Sequence, residues 1–127
     1  MKKPIAIYAL HTLPPMSRSF QEQRNFELSV LALYAQPSPD IHVIAEGDWN
    51  ITPYSPWFRD LLKKTDLNYQ SYGLFLDPTW PSFMPLAMLR IPIDQILFSN
   101  GLIQTGKYVG PSTGSDHHAL IAGFSEK

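Results

Sequence analysis

The sequence predicts a layered α/β unit, one sheet with helices on one face. Three observations carry this. Short apolar runs of strand length recur along the chain, at residues 5–11, 41–46, 91–99, 103–109 and 119–124. Two intervening segments carry helical spacing instead. The prolines fall at or near the boundaries of these runs, as expected of a residue that lacks an N–H donor and restricts its predecessor. The resulting order is strand, helix, strand, helix, loop and three strands, which a two-layer packing accommodates.

The elements follow in turn. Residues 5–11 form a buried strand that ends at a Thr-Leu-Pro-Pro turn. Ser19 and Glu22 have the spacing of a capping box, and Phe26, Val30, Leu33 and Tyr34 recur at helical intervals. A helix is therefore predicted over 19–36, stopped by Pro37. Ser38-Pro39-Asp40 is a turn into the strand 41–46. Ser55 caps a second helix with Pro56 at its first position, where proline is favoured. Trp57, Phe58, Leu61 and Leu62 form its apolar side. Residues 67–90 show no clear period and read as a long aromatic-rich loop. The last three strands complete the sheet.

Composition bounds the function. A chain of 127 residues is one domain with room for a core. Hydrophobic residues at 44% and aromatic residues at 13% describe a folded globule. The formal net charge of −1 excludes a general electrostatic nucleic-acid binder, though not a local nuclease site. The chain has no cysteine, so disulfides and thiolate metal sites are excluded and the redox compartment stays open. No apolar run approaches the roughly 18 residues that span a bilayer. Lys2 and Lys3 precede only a short apolar strand, too short for a signal peptide.

The chemistry sits where strands meet loops. The strand 41–46 runs into Gly47-Asp48-Trp49-Asn50. An Asp two residues before an Asn can orient and deprotonate a water while the amide binds a phosphate oxygen. The same spacing also fits an Asx turn that closes the strand end. Asp94 interrupts an otherwise apolar strand between Ile93 and Ile96, so it needs a partner. Ser115-Asp116-His117 opens the last strand. An Asp beside a His fixes the imidazole tautomer and raises its basicity, in a catalytic dyad or a structural ion pair alike. His11 lies at the end of the first strand. His42 reads as structural, alternating with Ile41 and Val43 taken as inward-facing. Trp49, Trp57 and Trp80 read as packing residues, with Trp49 near enough to the site to touch a substrate.

Taken together, Gly47-Asp48-Trp49-Asn50, Ile93-Asp94-Gln95-Ile96, Ser115-Asp116-His117 and Ala9-Leu10-His11-Thr12 resemble the endonuclease/exonuclease/phosphatase superfamily. Thr79-Trp80-Pro81 and the segment 52–56 resemble its bacterial, often membrane-tethered branch. The likeness spans residues 5–124. It implies a metal-dependent phosphoric ester hydrolase in which Asp48 activates water, and Asn50 and His11 contact the phosphate. His117, held by Asp94, serves as base or transition-state stabiliser, and Asp116 approaches the metal. His118 and Gln95 depart from the family, where arginine and histidine or tyrosine are common. The implied cofactor is Mg2+ or Mn2+. The implied substrate is a phosphate ester of nucleic acid or phospholipid type, and fold alone does not choose between them.

The resemblance covers only the C-terminal half of the family's domain, half of a four-layer α/β/β/α sandwich. The other half supplies an Asn and the main metal-binding Glu. Glu22, Glu27 and Glu46 are the only glutamates before Asp48, and none fits that role. Metal binding is expected to be weak, and the chain alone inactive or poorly active. An exposed inner sheet face predicts self-association as a homodimer. The second reading is a non-catalytic half-domain that self-associates or binds a partner.

Overall fold

A computed structural model describes residues 2–127 of the chain. Its elements are β1 (Ile5–Ala9), α1 (Arg18–Tyr34), β2 (His42–Asp48), α2 (Pro56–Thr65), β3 (Asn68–Tyr69), a short 3-10 turn (Ala87–Leu89), β4 (Asp94–Phe98), β5 (Leu102–Val109) and β6 (Leu120–Glu126). The α/β class is as predicted. The strands, however, form two ladders rather than one sheet. β1, β2, β4 and β3 make a four-stranded mixed sheet in the order β1-β2-β4-β3, and β5 pairs only with β6. A tight turn after β4, closed by Leu102 N–H donating to the Ser99 carbonyl at 3.0 Å, turns β5 away from its predecessor. The β5–β6 ribbon then packs on the far face of the sheet, with Phe124 against Phe98 at 5.2 Å between ring centroids.

β1 and β2 are parallel and α1 is their crossover, while β2 and β4 are antiparallel. The core lies between this sheet and both helices. Val43, Ala45 and Leu97 on the sheet meet Leu28, Leu31 and Ala32 of α1 and Phe58 and Leu61 of α2. Trp49 and Ile51, just beyond β2, are buried in the same cluster. Trp49 therefore packs in the core and does not face a substrate. Trp57 also departs from expectation, since it is largely exposed.

α1 is rotated relative to the sequence reading. Its buried residues are Arg24, Leu28, Leu31 and Ala32, whereas Phe26, Leu33 and Tyr34 face solvent. Both sets have helical spacing, so periodicity could not choose between them. The buried face packs against the sheet and α2, and on it Arg24 donates to the Asn50 carbonyl at 2.8 Å. The cap is Ser17, whose hydroxyl accepts from Phe20 N–H at 3.2 Å. Ser19 lies inside the helix, and Glu22 pairs with Arg18 at 3.1 Å instead of closing a capping box. In α2 the predicted cap holds: the Ser55 hydroxyl accepts from Trp57 N–H at 3.3 Å and Pro56 is the first residue.

His42 is structural, as expected, although Ile41 beside it is exposed. Its Nε2 lies 3.1 Å from Glu126 and ties the ribbon to the sheet. Among the described residues no helix is long and apolar enough to cross a membrane.

Candidate active site

Sheet register brings the two central carboxylates together. Asp48, the last residue of β2, is the cross-strand partner of Asp94, the first residue of β4. Opposed cross-strand side chains lie about 5 Å apart. Two strand ends of unrelated sequence position thus deliver two carboxylates to one edge.

The β2 end is fixed by backbone. Leu10 N–H donates to the Glu46 carbonyl and Thr12 N–H to the Asp48 carbonyl, both at 3.0 Å, so pairing continues past β1 and holds His11 beside Asp48. Gly47 makes this approach possible. Its φ is 136°, and a Cβ there would lie 2.0 Å from the Leu10 carbonyl oxygen. Asn50 has a left-handed φ of 47°. Its N–H donates to Asp48 Oδ1 at 3.0 Å and its Nδ2 to the Thr12 carbonyl at 2.9 Å. The Asx turn and the site-forming geometry are one structure here.

The opposite wall is a loop. Thr79 N–H and Trp80 N–H donate to the Ile91 carbonyl, at 3.2 and 3.3 Å, and so hold the long 70–91 segment against the strand that becomes β4. The segment 115–118 docks on it. Ser82 N–H donates to the Asp116 carbonyl at 2.7 Å, the Ser82 hydroxyl to the Ser115 carbonyl at 2.8 Å, and His118 N–H to the Thr79 carbonyl at 2.9 Å. Trp80 Nε1 donates to Asp116 Oδ2 at 3.3 Å.

His117 closes the arrangement. Its Nδ1 lies 2.7 Å from Asp94 Oδ2 and its Nε2 lies 3.5 Å from Asp48 Oδ2. The buried Thr79 hydroxyl donates to the same Asp94 oxygen. His11 Nε2 approaches Asp48 Oδ2 at 3.4 Å while remaining exposed. All six residues singled out in the sequence, His11, Asp48, Asn50, Asp94, Asp116 and His117, line one cleft of about 840 Å3. Thr79, Arg24 and Ser82 were not foreseen. Thr79 stood in a noticed Thr-Trp-Pro motif, but nothing in sequence tied it to Asp94.

The charges follow from the geometry. Burial pushes the Asp48 carboxyl above its ordinary pKa, and the Asp94 charge adds to this. The Asn50 N–H and both histidines oppose the rise without cancelling it. For His117, burial acts to lower the pKa. The bond to Asp94 and the charges of Asp94, Asp48 and Asp116 outweigh it, so the net shift is upward.

Three carboxylates face one cleft whose cation, Arg24, is engaged with a backbone carbonyl. Such a cleft repels a phosphate unless a cation is present. Asp48, Asp94 and His117 offer ligand atoms within 4.8 Å of one another. The carboxylates of this group suit a hard divalent ion that takes oxygen ligands and keeps several waters, which leaves the imidazole beside it free to carry a proton. Asp116 is not part of that triad, since its carboxylate faces Trp80.

Residues 2–117 match the Endonuclease/Exonuclease/phosphatase family. The chain belongs to this family. No curated protein sequence matches it. Among solved structures, it resembles an endonuclease/exonuclease/phosphatase from Beutenbergia cavernae (TM-score 0.75, 17% identity, 96% of this chain and 36% of that one). It also resembles a mannosyl-6-phosphatase of Bacteroides thetaiotaomicron (TM-score 0.64, 18% identity, 94% and 50% covered). A third is a Staphylococcus aureus beta toxin variant with bound magnesium ions (TM-score 0.62, 19% identity, 91% and 51% covered). At these identities the likeness is one of fold. The chain spans about half the length of the last two structures and about a third of the first.

Proposed function

We propose that this chain carries a metal-dependent phosphoric ester hydrolase site. The observation that supports it most is the register that sets Asp48 against Asp94 with His117 bonded to one and facing the other. Asp94 and the Thr79 hydroxyl hold the His117 ring, so Nε2 points into the cleft beside Asp48. There His117 takes or gives the proton that moves during ester cleavage, and Asp48 orients the attacking water. Asn50 and His11 are the donors for phosphate oxygens. Asp48 and Asp94, with Asp116 nearby, would hold a divalent ion, Mg2+ or Mn2+. Bound there, such an ion supplies charge neutralisation and Lewis acidity to the phosphoryl group. The family contains phosphatase and nuclease members, and the substrate class here is a phosphate ester.

The reading extends to assembly. β1 is an edge strand whose Ile5 and Ile7 are exposed on the face away from the helices. The accessible surface is 7583 Å2, about 700 Å2 above the roughly 6,800 Å2 usual for a monomer of this mass. We infer that this face is covered by a second copy, with the chain acting as the C-terminal half of the family's domain. A monomer at high concentration in light scattering would sink the homodimer.

The site is tested by hydrolysis of an aryl phosphodiester by the purified chain, with magnesium or manganese against chelator. Metal-dependent turnover that falls about 10^3-fold in His117→Ala is expected, with little change in stability. No turnover in a folded sample favours the second reading, a non-catalytic half-domain. The exposed β1 side of the same sheet face, beyond the ribbon, supports that alternative.

A further inference from the structure

Of the ion pairs among the described residues, only Lys107–Asp77 is buried on both sides. Lys107 Nζ lies 3.1 Å from Asp77 Oδ2, and the two side chains are 1% and 7% exposed. Neither residue lines the cleft. Burial pulls the Lys107 pKa below its ordinary value, and the Asp77 charge opposes this without cancelling it. A buried pair of this kind is a poor source of stability, since apolar side chains of similar size often do as well or better. The backbone beside it is strained as well. Leu76 and Asp77 have left-handed φ of 56° and 58°, and leucine has no polar group to favour that region. Two unfavourable features at one place point to a positional role.

Lys107 has a firm footing. Its ammonium sits over the Tyr69 ring, 4.8 Å from the centroid, and donates to the Gln70 carbonyl at 3.0 Å. Tyr69 in turn stands edge-on to Phe58 of α2 at 5.1 Å and pairs across strands with Leu97, both core residues. One cation therefore clasps both ends of the 70–77 segment, the Gln70 carbonyl and the Asp77 carboxylate. Only Pro78, with its fixed φ, then separates Asp77 from Thr79.

Thr79 is where this placement reaches the site. It is fully buried. Its hydroxyl donates to Asp94, its N–H donates to the Ile91 carbonyl at 3.2 Å, and its carbonyl accepts from His118 N–H at 2.9 Å. One residue thus touches both Asp94, which holds His117, and the backbone directly after His117. The ribbon closes the circuit. β5 carries Lys107, which pairs with Ala122 of β6, and β6 begins at Leu120, just past His118. We propose that Lys107 and Asp77 are positioning residues: their ion pair sets the 77–79 segment against the ribbon, and so holds Thr79 on Asp94 and on the chain beside His117. The effect on turnover rests on the hydrolase reading above. The clasp does not.

The experiment reads the two separately. Removing one charge would leave the other buried and unpaired, a strongly destabilising change. The test therefore uses Lys107→Met/Asp77→Asn, which removes both charges at similar size, with Thr79→Val and the combination of all three. Amide hydrogen exchange followed by NMR in chelator reads the clasp. In the wild type, the Thr79 and His118 amides should exchange as slowly as those of β4. In the double variant these two should exchange roughly tenfold faster or more, while β2 and β4 amides keep their rates. A merely structural pair would speed all of them together. Aryl phosphodiester turnover reads the consequence. In the double variant kcat should fall roughly tenfold with KM unchanged, because Asn50 and His11 are untouched. Thr79→Val should lose as much, and the triple variant no more, because the clasp acts through Thr79. Wild-type Thr79 and His118 amides that exchange as fast as those of residues 71–75 overturn the proposal, and that measurement needs no variant. So do uniform acceleration in the double variant, its failure to fold, turnover in it equal to wild type, or losses in rate that multiply in the triple variant. Local acceleration with no ester hydrolysed by any of these proteins keeps the clasp and removes the hydrolase reading.

Discussion

The two walls of the cleft are built by different means. The β2 wall is backbone: Asp48, Asn50 and His11 are placed by parallel pairing, a left-handed turn and a glycine. The loop wall is a handful of isolated backbone and side-chain hydrogen bonds: Ser115, Asp116 and His117 are placed by Ser82, Trp80 and Thr79 from a segment without regular structure. The first is stiff because shifting it costs sheet hydrogen bonds. The second depends on a few local contacts. Substitutions on the β2 wall should therefore act on stability, and substitutions at the Asp94–His117 contact on rate and its pH dependence.

The largest expected effect is on the stiff wall. Gly47→Ala asks an L residue to adopt φ 136° and pushes a methyl to 2.0 Å from the Leu10 carbonyl oxygen. A backbone atom cannot step aside as a side-chain tip can. The cost is about 3 kcal/mol or more, read as a lowered denaturation midpoint. A variant of wild-type stability would show that β1 and β2 are not held as closely as described, and the comparison would fail.

Legibility in the sequence divides along the same line. Asp48, Asn50 and Asp94 stand out because a polar residue ending or interrupting an apolar run has no packing reason to be there. The register that makes Asp48 and Asp94 neighbours is non-local, and no motif encodes it. Thr79 was unreadable as a partner because the 67–90 segment has no period and its anchors are mostly backbone atoms. α1 failed differently. Phe26, Leu33 and Tyr34 are as helical in spacing as Leu28, Leu31 and Ala35, and only tertiary packing against the sheet and α2 separates them. The ribbon was missed as a separate ladder because a strand's sequence does not state which neighbour it pairs with.

The next effect sharpens the loop wall. Asp94→Asn keeps the size of the side chain but removes the charge and the firm acceptor for His117 Nδ1. Turnover should fall about 10^2-fold. The Asp94 bond and charge both raise the His117 pKa, so their loss lowers it. With His117 acting as a base, the acidic limb of the rate profile should move to lower pH. An unchanged limb would mean that the 2.7 Å contact is an ordinary ion pair with no part in catalysis.

The smallest effect tests what the β2 wall gives up for its geometry. Burial raises the Asp48 pKa above 3.8, so the folded state favours the neutral carboxyl. The ionised form then costs stability at every pH above the folded pKa, and the cost disappears as pH falls through that value towards 3.8. Asp48→Asn removes the charge while keeping the oxygen that accepts from Asn50 N–H. In chelator, the variant should melt higher than wild type at neutral pH. The difference should shrink as the solution is acidified. Activity should be lost at the same time, the expected exchange of stability for function at a site that holds a charge in place. A variant less stable than wild type at neutral pH would mean that Asp48 is retained for its ion contacts with His11 and His117, and that this wall too rests on side chains.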